Sequence, residues 1–241
     1  MGGNTVRPAT VRFLGIVFIL FAIAFNGPYT WLAANFAYPG ILREPPPTIL
    51  TEFTAGGTAL ILAWGAFALA ALLFAPVAVG MAKVTRRAGH AASGVAALGI
   101  AAGVTQAIGL SRWVYAVPGL AAAWAGSADA GARTAMEQIF LTLHQFAGVG
   151  IGEAIGQSLT GFWMIGVACG QWHHPRFGRA VATLGFAGGI VLLLGIVEGL
   201  ATVIPFDPGL FGLAALVGFL ILSAWLIWTG LLCVLYPANE G

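Results

Sequence analysis

The sequence has few charged residues. Lysine, arginine, aspartate and glutamate together make up 7% of its 241 residues, whereas hydrophobic side chains make up 59%. A soluble domain carries about 25% charged residues, so this composition leaves too few to cover a surface that faces water. The scarcity of charge therefore excludes an ordinary soluble enzyme or binding domain and indicates an integral membrane protein.

Cysteine is also scarce, and only Cys169 and Cys233 are present. Both are expected at cytoplasmic helix ends, where the reducing environment disfavours a structural disulfide. Neither has CxxC or CxxCH spacing, which gives no support for thiol redox chemistry or covalent haem. HExxH, GxSxG and Walker A motifs are missing as well. The sequence therefore predicts no cofactor and no metal.

The apolar residues form six long runs. They cover about residues 13–36, 57–82, 91–111, 139–170, 180–204 and 210–236. Each run meets the requirement of about 20 apolar residues for crossing the hydrocarbon core. Helices are expected because a barrel would show short strands of alternating polarity. The sequence predicts an all-α polytopic membrane bundle, with residues 1–241 forming one domain of six transmembrane helices.

The basic residues are unevenly distributed between the two sides of this bundle. Three of them, Arg43, Arg112 and Arg133, are expected on one side, and the other seven are expected opposite: Arg7, Arg12, Lys83, Arg86, Arg87, Arg176 and Arg179. The positive-inside tendency predicts cytoplasmic termini in a multi-pass protein of the cell inner membrane. A cleaved signal peptide is the alternative for the N-terminus, but the apolar stretch there continues to Phe36. The net charge of +2 reflects this asymmetry and does not indicate nucleic-acid binding.

Glycines recur every four residues in two of the runs. Gly148, Gly152 and Gly156 lie in the fourth run, and Gly195 and Gly199 in the fifth. Small residues at this spacing let helix backbones approach closely in lipid. The pattern predicts packing between the fourth and fifth helices. The alternative is a homodimer, or docking to another membrane protein, through one of these stripes.

Polar side chains are expected at one depth in the bundle. Glu153 and Glu198 each lie about 25 Å from the cytoplasmic ends of their helices, at about 1.5 Å per residue. Gln106 and Asn26 lie at about 22 and 21 Å on the same scale. The long side chain of Arg112 is expected to bend toward this layer. A carboxylate within a span is costly to insert, so the layer indicates either a functional site or a paired network.

The layer has two interpretations. In the first, Glu153, Glu198 and Arg112 are the ionisable members of an outward-facing pocket for a small molecule or a lipid. In the second, Arg112 neutralises one glutamate, while Gln106 and Asn26 bond the other and hold the helices together.

Short stretches resemble a known family. They are residues 111–118 (SRWVYAVP), 148–153 (GVGIGE) with 161–163 (GFW), 224–230 (AWLIWTG), and the Pro-Arg pair at 175–176. Together they resemble a bacterial family of six-helix membrane proteins catalogued only as a domain of unknown function. The resemblance implies the same topology and draws attention to Arg112 and Glu153, but it implies no activity. Relatives carry a histidine after the glycine–glutamate pair, where this chain has Ala154.

Three functions follow as hypotheses. The sequence favours a non-enzymatic structural or accessory membrane subunit. The alternative is a binding or transport protein for a small molecule or lipid. An intramembrane enzyme is disfavoured because neither a nucleophile–base pair nor a metal-binding set accompanies the carboxylates.

Overall fold

The computed structural model describes residues 6–85 and 90–238, apart from the side chains of residues 90 and 91. Nine α-helices lie in this part of the chain, which contains no strand. They are α1 (Pro8–Phe36), α2 (Pro46–Val84), α3 (His90–Tyr115), α4 (Val117–Gly126), α5 (Ala130–Leu143), α6 (Gly156–Gln171), α7 (Gly178–Leu194), α8 (Ile196–Ala201) and α9 (Ala214–Leu235). A π-helical segment, His144–Ile155, joins α5 to α6, and 3-10 turns cover Gly40–Arg43 and Gly209–Leu213.

Within the described residues, six helical stretches are long and apolar enough to cross a membrane. They are Pro8–Phe36, Pro46–Val84, Ala92–Gly126, Ala130–Gln171, Gly178–Ala201 and Gly209–Leu235. The prediction of an all-α bundle with six spans is therefore confirmed, and the chain is a multi-pass membrane protein. Six spans place both termini at one end of the bundle. We call the opposite end the distal end.

The second span begins earlier than the sequence predicts. α2 starts at Pro46 because Pro46 and Pro47 occupy its first two positions, where proline needs no hydrogen-bonded N–H. Gly57 interrupts this long helix with a φ of 53°, a conformation that favours glycine. The part before the interruption carries Phe53, whose ring stacks on Trp113 at 5.6 Å. The kink thus lets the start of α2 cover the distal end.

Two clusters of buried side chains form the core. One lies toward the termini and contains Phe18, Phe74, Trp163 and Trp225. The distal cluster is rich in aromatic rings and includes Trp64, Trp113, Phe36 and Phe140. Trp64 and Trp113 stack with ring centroids 4.8 Å apart and planes 10° from parallel. The rings of this distal cluster form part of the wall of the cavity described below.

The glycine stripe of the fourth span faces α3 rather than the fifth span. A Cβ added to Gly152 would lie 3.1 Å from the Cα of Gly109, and one added to Gly156 would lie 2.6 Å from the Cγ of Gln106. A Cβ at Gly148 would meet the guanidinium of Arg112. Small residues on both sides let the two helices approach this closely.

The two glycines of the second stripe contact different neighbours. A Cβ at Gly195 would lie 2.9 Å from the backbone nitrogen of Ala215 at the start of α9. One at Gly199 would lie 3.3 Å from Val149 in the fourth span. The expected contact between the fourth and fifth spans therefore includes Gly199 but not Gly148, Gly152 or Gly156.

Five of the seven basic residues predicted to be cytoplasmic lie in the described segments at the end that carries the termini. They are Arg7, Arg12, Lys83, Arg176 and Arg179; Arg86 and Arg87 lie outside the described residues. Arg176 donates a hydrogen bond of 2.7 Å from its Nε to the carbonyl oxygen of Tyr236 and so ties α7 to the end of α9. The cytoplasmic assignment of this end stays a prediction from the charge bias.

Candidate functional site

A cavity of about 300 Å³ lies at the distal end, between α1, α2, α3, the π-helical segment and α9. All five polar residues of the sequence-predicted layer line it: Asn26, Gln106, Arg112, Glu153 and Glu198. The residues that were expected at one depth therefore line one cavity. Of the predicted packing glycines, Gly148 and Gly152 also line it.

Glu153 and Glu198 share one cation, which is Arg43. Its Nη2 lies 3.2 Å from Oε2 of Glu153 and 3.0 Å from Oε1 of Glu198. Its Nε also donates to Oε1 of Glu198 at 3.2 Å. Both carboxylate side chains are 27% exposed, and that of Arg43 is 33% exposed. The three groups form a partly buried ion triad in the wall of the cavity.

Each member of this triad comes from an irregular part of the helical fold. Arg43 ends the 3-10 turn between α1 and α2, whereas Glu198 lies in the short helix α8 that follows the break at Gly195. Glu153 lies in the π-helical segment, a conformation that is often found at functional sites. These interruptions aim the side chains at the cavity.

The charges of the triad stabilise one another. Burial alone lowers the pKa of Arg43, but the negative charges and hydrogen bonds of Glu153 and Glu198 outweigh it and raise the pKa above its ordinary value. Burial, followed by the negative charge of Glu153, also raises the pKa of Tyr38 well above its ordinary value. Near neutral pH, therefore, Arg43 stays charged and Tyr38 keeps its proton.

Arg112 has a different role from the one expected for it. Its Nη1 donates to the carbonyl oxygen of Gly109, and its Nη2 lies 3.5 Å from Nδ1 of His144. Its guanidinium carbon lies 5.1 Å from the ring centroid of Trp113. Arg112 is 7% exposed and forms no ion pair with either glutamate within the described residues. The ion pair that the structural interpretation assigned to Arg112 is made by Arg43.

The two amides of the layer bond to hydroxyl groups rather than to the glutamates. Asn26 donates to the hydroxyl of Ser223 at 2.8 Å and so links α1 to α9. Gln106 donates to the hydroxyl of Thr160 at 2.9 Å and links α3 to α6. Both bonds fix helices that form the cavity wall.

Seven of the residues that line the cavity are aromatic. Tyr38 contacts Tyr29 and Trp64 edge to face, each at 5.3 Å between ring centroids. Phe25 and Phe67 lie 5.3 Å apart, and all five of these residues line the cavity. The site therefore joins an apolar aromatic chamber to a charged triad.

Arg43 is the site residue that sequence reasoning missed. It lies in a connection between spans and was counted only for the charge bias. A charge count held the relevant signal, because Glu153 and Glu198 lie in predicted spans and only one arginine, Arg112, was assigned to their layer. If both glutamates are charged, a second cation is needed to balance them.

The described part of the chain contains no group of three or more histidine, cysteine, aspartate or glutamate residues placed to hold a metal ion. Glu137, near the distal surface, accepts a hydrogen bond of 2.9 Å from the indole of Trp124. His144 contacts Arg112, as described above. The ion triad and the aromatic rings at the distal end are suited to electrostatic recognition and aromatic packing.

The fold and the cavity define a multi-pass membrane protein with a charged, aromatic site at one end of its bundle. The model of a family described as a domain of unknown function, DUF4386, matches residues 13–230. The chain belongs to this family, which confirms the resemblance to a membrane family of unknown function. No curated protein and no solved structure matches the chain.

Proposed function

We propose that this protein binds a small amphipathic molecule or a lipid in the distal cavity. The observation that carries the proposal is the cavity of about 300 Å³, whose wall combines aromatic rings with the Arg43–Glu153–Glu198 triad. Ligand pockets typically measure about 300–1,000 Å³ and combine apolar walls with a few polar groups that orient the ligand. The aromatic chamber would hold the apolar part of such a molecule, and the triad would hold its polar part.

The exposure of the triad supports binding over a purely structural network. An ion network that is partly open to solvent contributes little to holding helices together, because water screens the attraction between its charges. Here both glutamate side chains keep about a quarter of their surface exposed, at 27% each. The carboxylates are therefore accessible to a molecule in the cavity.

A structural or accessory role is the competing function. It was expected to use the glycine stripes as docking surfaces. Gly148, Gly152 and Gly156 contact α3, and Gly195 contacts α9, so both stripes are engaged within the chain. This engagement weakens the case for a homodimer or a membrane-protein partner that docks on the same glycines.

Native mass spectrometry of the gently solubilised protein distinguishes the two roles. The wild type is compared with Glu153→Gln, which removes one charge of the triad, and with Glu52→Gln, which removes an exposed charge at the start of α2. Binding predicts a small molecule or lipid of defined mass that is retained by the wild type and Glu52→Gln and depleted in Glu153→Gln. A protein partner retained equally by all three forms, with no small-molecule mass, would favour the accessory role and refute the proposal.

A further inference from the structure

The two carboxylates of the cavity converge on a single cation. Glu153 and Glu198 come from different spans, yet one nitrogen of Arg43 lies 3.2 Å from one and 3.0 Å from the other. Two carboxylates this close to each other repel unless a positive charge lies between them. The pair is therefore a preformed position for one positive charge.

Arg43 occupies that position from a short connection rather than from a span. It ends the 3-10 turn Gly40–Arg43, and a third of its side-chain surface is exposed. Both glutamates, in contrast, lie in helical segments: Glu153 in the π-helical segment, which has buried residues, and Glu198 in α8, whose Gly199 lies against Val149 of that segment. Because guanidinium is stabilised by water, Arg43 can leave the pair at a smaller cost than a fully buried charge.

Aromatic rings line the cavity that contains this position. Tyr29, Tyr38, Trp64 and Phe67 line the cavity together with the triad and contact one another through their rings. The faces of aromatic rings attract cations, and several rings around one site are suited to substituted ammonium groups. Two carboxylates beside such rings favour an organic cation over an anion or a neutral molecule.

We propose that the cavity binds an organic cation with an apolar body, and that its ammonium group replaces Arg43 between Glu153 and Glu198. The inference rests on the proposed function of the cavity. The apolar body would pack against the aromatic wall, while Arg43 turns outward to solvent.

Charge balance supports an exchange rather than an addition. Arg43 and Arg112 carry two positive charges at the cavity, and Glu153 and Glu198 carry two negative ones. A monovalent cation that displaces Arg43 leaves this sum at zero, whereas a cation added to the intact triad would leave the cavity positive and an added anion would leave it negative. Arg112 opposes a bound cation, but in the described part of the chain it forms no ion pair with either glutamate, and its contacts are to Gly109, His144 and Trp113.

The test uses two probes of nearly the same shape. Benzyltrimethylammonium carries a quaternary nitrogen where neopentylbenzene carries a neutral carbon. Each is titrated into the full-length solubilised protein by isothermal calorimetry, and phenylacetate serves as an anionic probe. We expect benzyltrimethylammonium to bind at least about tenfold more tightly than either of the other two.

Three variants connect the binding to the triad. Glu198→Gln should weaken binding of benzyltrimethylammonium about tenfold, because one of its two carboxylates is lost. Arg43→Gln should strengthen it severalfold, because the internal competitor is removed. Arg133→Gln is the matched control and should change nothing, since Arg133 lies over Trp124 outside the cavity. Gel filtration and thermal melting establish that each variant is folded, and Glu153→Gln replaces Glu198→Gln if the latter is not.

The outcomes separate this inference from the proposed function. If neopentylbenzene or phenylacetate binds as well as benzyltrimethylammonium, the cavity is a ligand site but the preference for a cation is refuted. Weaker cation binding by Arg43→Gln would refute the exchange. If no probe binds and native mass spectrometry finds no retained small molecule, the proposed function fails together with the inference.

Discussion

Replacing Gly109 by alanine should push α3 away from the π-helical segment. The added Cβ would lie 2.6 Å from the Cα of Gly152 and 2.9 Å from the carbonyl oxygen of Ala147. Both are backbone atoms, so no side chain can rotate to make room. Since ordinary contacts begin near 3.4 Å, the two helices must separate by about 0.8 Å at Gly152.

The free-energy cost can be bounded from this geometry. Overpacking in a well-packed interior costs about 1–3 kcal/mol. Alanine has a better helix propensity than glycine, which offsets at most about 1 kcal/mol of this cost. Because the clashing atoms belong to the backbone, we expect a cost in the upper half of that range, about 2–3 kcal/mol, and therefore a net loss of about 1–2 kcal/mol in the free energy of unfolding. For a chain of this size, that loss corresponds to a fall of about 2–8 °C in melting temperature.

Gly94→Ala is the matched control for this prediction. Gly94 lies in the same helix, and a Cβ added there has no atom within 4 Å. Thermal melting in detergent, followed by fluorescence-detected gel filtration, compares both variants with the wild type. Gly94→Ala should melt at or slightly above the wild-type temperature. If Gly109→Ala has the same melting temperature as Gly94→Ala, the close approach of α3 to the π-helical segment is wrong.

Two further predictions concern the other end of the bundle and its orientation. Gln171→Leu should lower the free energy of unfolding by about 1–3 kcal/mol, since the fully buried Gln171 accepts from Trp225 at 3.0 Å and donates to Thr229 at 3.2 Å. Thermal melting in detergent tests this prediction, and Gln138→Leu, at an exposed position, is the control. Equal melting temperatures of the two variants would contradict the role of this network. In a Cys169→Ser background, Ala128→Cys should react with a membrane-impermeant maleimide in intact cells, and Ala238→Cys only after permeabilisation. Labelling of Ala238→Cys in intact cells would overturn the prediction that the termini are cytoplasmic.

The sequence predicted the class and the span count because both depend on local composition. An apolar run long enough to cross the bilayer is favoured as a helix whatever its neighbours are, since its backbone must satisfy its own hydrogen bonds in lipid. The common depth of Glu153 and Glu198 was predicted from the rise per residue of an α-helix, and it stays a prediction. Helix starts were less accurate, because the second run was predicted to begin at about residue 57, whereas the helix begins at Pro46.

The partners of those residues depended on tertiary structure. Arg43 is 110 residues from Glu153 and 155 residues from Glu198 along the chain, and nothing local to any of the three indicates that they meet. The partner of the glycine stripe in the fourth span also depended on tertiary structure. The spacing of these glycines predicts close helix packing, but it does not predict that the neighbouring helix is α3. Composition and periodicity are properties of one segment and its solvent, so the sequence alone determined them. Which cation neutralises the two carboxylates depends on how a connecting turn docks on the assembled bundle, and only the three-dimensional packing decides that.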